Sequence, residues 1–126
     1  MAFEYLNLNP SQKIVGDCVV RALSLALDEP WDKIYIDLSF LGFIYKDILS
    51  SNRIWGSYLM DNGFKRYHIP DTCPDDCYTI RRFAEDNPVG TFVVGTGTHV
   101  VTIIDGTVFD TWNSLDNVPS CVYVRE

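Results

Sequence analysis

The sequence holds four cysteines and two histidines, and one of each sits where its neighbours would make it reactive. Cys18 follows Gly16-Asp17 and opens the apolar run Val19-Val20-Arg21-Ala22-Leu23. Asp17 has the side chain of a helix N-cap, which sets Cys18 at the first helical position. A thiol there is acidified by the helix dipole and the free backbone N–H groups of the first turn. His99 opens a β-rich run that reaches Ile104, and Asp110 lies in the run that follows Asp105-Gly106. Asp-Gly between two such runs reads as a two-residue hairpin turn. Ile104 then pairs with Thr107, Val101 faces Asp110, and His99 faces Trp112. Opposed residues share a face and faces alternate along each strand, so His99 and Asp110 are diagonal neighbours on one face. A carboxylate beside an imidazole fixes its tautomer and favours its charged form. With Cys18 added, the set becomes a thiolate–imidazolium pair able to attack an acyl carbon. The Cys18 N–H would be one oxyanion donor, and Gln12, in the loop entering the helix, would be a second. Trp112 is either a core residue or, in this register, a shield that keeps water from His99.

The elements that must position these groups are legible from periodicity. Residues 1–16 read as an extended polar entry segment. The helix from Asp17 to Leu27 is apolar nearly all round, as a buried central helix is. Pro30 suits the first turn of a second helix carrying Trp31, Ile34, Tyr35, Leu38 and Leu41. That helix is expected to end by Ser50, with Gly42 a candidate break. A third runs from Asn52 through Ile54, Trp55, Tyr58 and Leu59 to a stop at Asn62-Gly63. Residues 64–69 read as a strand, 79–85 as a short helix, and 91–94 as a strand. The hairpin follows, and 121–125 supplies a last strand. Helices first and a mostly antiparallel sheet afterwards make one α+β domain over residues 1–126.

Other chemistry-bearing residues read as structural. His68 has no carboxylate at a telling spacing and is expected at the surface. Cys73 and Cys77 lack the second ligand cluster that zinc wants, so a loop thiol pair or an adventitious disulfide is expected and no metal or cofactor. Arg21, the charge inside the buried helix, is expected to anchor a structural carboxylate.

Composition narrows the class. The chain has 126 residues, 47% apolar and 13% aromatic, enough for a real core and unlike a disordered segment. Its 17 acids against 10 Lys and Arg leave a net charge of −7. No basic stripe is present to neutralise phosphates or an anionic bilayer, so neither nucleic acid nor membrane is an expected partner. The N-terminus lacks a basic region followed by an apolar run, and no stretch approaches the ~20 apolar residues of a membrane span. A cytoplasmic setting with reduced cysteines is the expectation.

The order Gln12, Cys18 on a buried helix, His99 on a strand, then Asp110-Thr111-Trp112 on the next resembles the papain-like cysteine peptidases. The Asp-Cys helix start is similar to the bacteriocin-processing, double-glycine branch of that superfamily. Gly16-Asp-Cys-Val, Arg21-Ala22, the segment at 79–84 and Gly97-Thr-His-Val-Val resemble small proteins of phages and prophages. The resemblance spans nearly the whole chain in order and spacing. Aspartate stands where papain has asparagine, as in related branches, and papain's substrate-binding second half has no counterpart. It implies a compact papain-like fold and a Cys18–His99–Asp110 triad with Gln12 at the oxyanion. The implied activity is amide hydrolysis of a host or phage protein through a thioester, in the host cytoplasm. A catalytically idle scaffold that binds a host protein, or a transamidase or deamidase with the same triad, are the alternatives.

Overall fold

The computed structural model describes residues 2–126. Along the chain run β1 (Phe3–Tyr5), α1 (Cys18–Leu27), α2 (Trp31–Tyr45), α3 (Asn52–Asp61) and β2 (Phe64–His68). They are followed by α4 (Ile80–Asp86), β3 (Thr91–Gly95), β4 (Val100–Ile104), β5 (Thr107–Asp110) and β6 (Cys121–Arg125). The strands form one sheet in the order β1-β5-β4-β3-β6-β2. The fold is α+β, and the expectation of a helical first half leading into the sheet needs one correction. β1 lies in the segment read as a plain extended entry, and it pairs parallel to β5, so the sheet is mixed.

The alternation of apolar residues along the strands gives the sheet two buried faces. On one, Val93 and Tyr123 meet α1, α2 and α3 through Leu23, Ile34, Trp55 and Leu59. On the other, Val94, Val101, Ile103 and Val122 pack with Ile80 and Phe83 of α4. Trp55 is 1% exposed and meets the Tyr123 ring edge-on at 5.1 Å. Truncating such a side chain costs about 3–5 kcal/mol, which makes Trp55 a principal anchor of α3. Thr102, buried in β4, donates from its hydroxyl to the Ala22 carbonyl at 2.6 Å, and so ties α1 to the strand that follows His99.

α2 passes Gly42 without breaking and ends at Tyr45, where Lys46 takes a left-handed conformation. Gly42 serves a close approach, because a Cβ there would stand 2.6 Å from the Asp47 carbonyl oxygen. Its inner face buries Ile34 and Leu38, while Ile36, Phe40, Phe43 and Ile44 point outward and are exposed. No helix among the described residues is long and apolar enough to cross a membrane.

Candidate active site

The turn that brings His99 and Asp110 together has the expected form. Asp105 and Gly106 both have positive φ, 49° and 79°, as a type I′ hairpin turn requires. The observed pairs are Ile104 with Thr107, Ile103 with Val108 and Thr102 with Phe109. His99 sits just before β4, where its N–H donates to Thr96 Oγ1 at 3.1 Å and its carbonyl accepts from the Thr96 N–H at 2.9 Å. That small loop, with Gly97 at positive φ, aims the imidazole along the face shared with Asp110.

The meeting is close. His99 Nε2 lies 2.6 Å from Asp110 Oδ2, a distance at the short limit of charge-assisted bonds. A carboxylate only accepts, so Nε2 carries the proton and Nδ1 is the nitrogen left for another partner. Asp110 is 2% exposed and fully engaged. Ser114 Oγ donates to its Oδ2 at 2.9 Å, while the Thr111 N–H and Arg21 reach Oδ1 at 2.8 and 3.3 Å. Burial pushes this carboxyl up, but His99, the Thr111 N–H and Ser114 outweigh burial and hold it below the ordinary range.

Cys18 opens α1 against this pair. Burial pushes its thiol up, yet the His99 side chain, the Val100 N–H and the charges of His99 and Arg21 bring it below the usual thiol value. On the imidazole, burial acts downward, but Asp110 and Cys18 outweigh it and raise His99 to about 9. The two shifts run in the directions that favour thiolate beside imidazolium.

Asp17 departs from its expected role, because its side chain makes no cap hydrogen bond. Three other donors hold it instead: Arg21 Nε at 2.8 Å, Asn9 Nδ2 at 3.1 Å and Trp31 Nε1 at 3.0 Å. The first-turn N–H groups of α1 are thereby left without a side-chain cap at the end that carries Cys18. Arg21 bridges two buried carboxylates, Asp17 and Asp110, and so braces the helix against the carboxylate that holds His99. The expectation for Arg21 named one anchored carboxylate; the geometry supplies two.

Gln12 requires a correction. Both hydrogens of its side-chain amide are spent on the Asn7 and Asn9 carbonyls, each at 3.0 Å, so it holds the entry loop and has no donor left for an oxyanion. Trp112 stacks obliquely on His99, with ring centroids 4.8 Å apart. It is 46% exposed, so it covers the imidazole and is not core. His68 is exposed on β2. Cys73 and Cys77 are joined by a disulfide, the second of the two arrangements expected for this pair, so the general expectation of reduced cysteines does not extend to them. Among the described residues no group of three or more His, Cys, Asp or Glu side chains could hold a metal ion.

Ser114, Asn9 and the Val100 N–H were missed. Ser114 follows Asp110 by four residues, within reach of a chain that turns back after the strand. Nothing local marks Asn9, whose partner Asp17 lies across the entry loop.

Cys18 and His99 border a pocket of about 320 Å³ that runs between the N-terminal end of α3 and the β3-β6-β2 side of the sheet. Comparison with protein-family models, with curated proteins and with solved structures finds no match. The site therefore rests on its own geometry: a thiol, a base oriented through its far nitrogen, and an adjoining pocket.

Proposed function

We propose that this chain is a cysteine-dependent amide hydrolase of papain-like architecture that acts on a peptide or protein. The observation that carries the reading is the commitment of His99 Nε2 to buried Asp110, which leaves Nδ1 for the thiol that His99 acidifies. A nucleophile, its base and an orienting group in that relation perform acyl transfer on unrelated folds.

In this mechanism Cys18 Sγ attacks the substrate carbonyl carbon, and the carbonyl π electrons move to oxygen. The Cys18 backbone N–H, in the uncapped first turn of α1, donates to that oxyanion. The intermediate collapses with cleavage of the C–N bond, and the His99 Nδ1 proton passes to the departing amine. Water then attacks the thioester carbonyl, gives its proton to Nδ1, and releases the acid as Cys18 returns to thiolate. Asp110 holds the imidazole in place throughout, stabilises it in the steps where it is charged, and never takes the proton.

The test is mass spectrometry of a cell lysate incubated with the protein or with its Cys18→Ala variant. New chain ends that depend on Cys18 support hydrolysis. Side-chain amides converted to acids without shortened chains would assign deamidation, and identical lysates would contradict catalysis.

A further inference from the structure

The pocket beside Cys18 has a charge character opposite to that of the chain. The molecule carries 17 acids and 10 Lys and Arg, yet among the described residues no Asp or Glu lines this pocket, whereas Arg66 and His99 do. Arg66 forms no ion pair among the described residues. It stands directly across from Tyr123 in the β2–β6 register, on the same face of the sheet, and both side chains line the pocket; burial raises the Tyr123 hydroxyl while the nearby Arg66 charge acts against that rise. Tyr123 is itself buried at 3% exposure and held by Trp55 and by Gly56, where a Cβ would stand 2.3 Å from the hydroxyl. The partner that orients Arg66 is therefore rigid, while the guanidinium keeps donors for a ligand.

Register gives the distance to the reacting atoms. Val100, whose N–H meets Cys18, pairs with Gly95; Gly95 pairs with Cys121; and Tyr123, two residues beyond Cys121, pairs with Arg66. Three strand spacings and a two-residue offset, less the reach of an arginine side chain, put the guanidinium on the order of 10 Å from Cys18. An extended chain covers that in about three residues.

We infer that Arg66, braced by Tyr123, forms a carboxylate-binding subsite, so that the preferred substrate carries an acidic group two to three residues from the bond attacked by Cys18. The subsite deepens the proposed hydrolase, since it places a specificity determinant in that enzyme's own cleft. A planar guanidinium matches a carboxylate bidentately, and the absence of acids in the wall leaves it no internal competitor.

The experiment compares alkylation of Cys18, read by peptide mapping, with three iodoacetyl dipeptide probes. Iodoacetyl-Gly-Glu-amide carries a side-chain carboxylate, iodoacetyl-Gly-Ala a terminal one, and iodoacetyl-Gly-Gln-amide none. Wild type is expected to react at least about fivefold faster with a carboxylate probe than with the glutamine probe, a preference that added salt weakens. Whichever carboxylate probe leads identifies the source of the acidic group. In Arg66→Gln the preference should fall below about twofold while the glutamine probe keeps its rate, and Arg66→Lys should restore part of it. Equal rates in wild type, or a preference that survives Arg66→Gln, overturns the subsite. If Cys18 resists all three probes, the hydrolase reading fails. The subsite is then judged by tryptophan fluorescence, with Trp55 in the pocket wall: acetyl-Gly-Glu-amide or acetyl-Gly-Ala must bind at least about fivefold tighter than acetyl-Gly-Gln-amide. Loss of that difference in Arg66→Gln supports the subsite, and no difference overturns it.

Discussion

Cys18 and Cys121 are both free thiols, both half-buried, and both in the wall of the same pocket. Their surroundings differ completely. Cys18 opens a helix and meets an imidazole and a backbone N–H. Cys121 begins an inner strand, where its sulfur packs against Gly95; a Cβ on that glycine would come within 3.2 Å of it. One sulfur has been given a base and the other a packing partner. Reactivity is thus a property of what the fold places beside a thiol, and residue type alone does not supply it.

That contrast can be broken in several ways, and the largest effect is on turnover. Cys18→Ala or His99→Ala should lower the rate on a peptide substrate by at least about a thousandfold, as expected when a nucleophile or its acid–base partner is lost. Both variants must remain folded, with cooperative thermal melts, because Asp110 retains Ser114, Thr111 and Arg21 when the imidazole is gone. Asp110→Ala should lose less activity and more stability.

Next in size is Arg21→Met, which removes the shared partner of two buried carboxylates. Breaking such an arrangement costs about 3 kcal/mol, measurable as a lower denaturation midpoint in urea. Among the described residues no other arginine bridges two carboxylates, so Cys121 has no such brace behind it. An unchanged midpoint would mean that Asp17 and Asp110 are satisfied by their remaining neighbours.

The smallest effect is a pH dependence of stability. His99 is raised from 6.5 to about 9 in the folded protein. Its contribution is therefore fully present below about pH 6.5 and is lost as the pH rises through about 9. Cys18, lowered from its ordinary 9.0, acts with the opposite sign in the upper part of that window, so the wild-type melting temperature should change little across it. Cys18→Ala removes the opposing group and should expose a fall with rising pH, whereas Cys121→Ala should leave the wild-type curve in place. Identical curves for the two variants would show that the two sulfurs are equivalent neighbours of the imidazole.

Much of this arrangement was legible beforehand where local chemistry decides the backbone. Asp105-Gly106 dictates a two-residue turn, and from that turn the diagonal relation of His99 and Asp110 follows by counting. The buried helix behind Cys18 was marked by its apolar residues on every side. What escaped reading depends on partners brought from afar. β1 is three residues long and pairs with a strand about a hundred residues later, so no periodicity announces it. Asp17 is a good cap by type, but Arg21, Trp31 and Asn9 compete for its oxygens only after folding. Gln12 stands at a suggestive spacing from Cys18, yet its amide folds back onto the carbonyls of Asn7 and Asn9 upstream.

The central claim is that Cys18 is held as a thiolate by His99, and the direct measurement is its rate of alkylation by iodoacetamide against pH, with Cys121 followed in the same digest. The account predicts that the Cys18 rate reaches its plateau well below the ~8.5 at which a free thiol ionises, and that His99→Ala abolishes the early plateau. A Cys18 rate that climbs through neutral pH alongside an ordinary thiol, unaltered by His99→Ala, would contradict it.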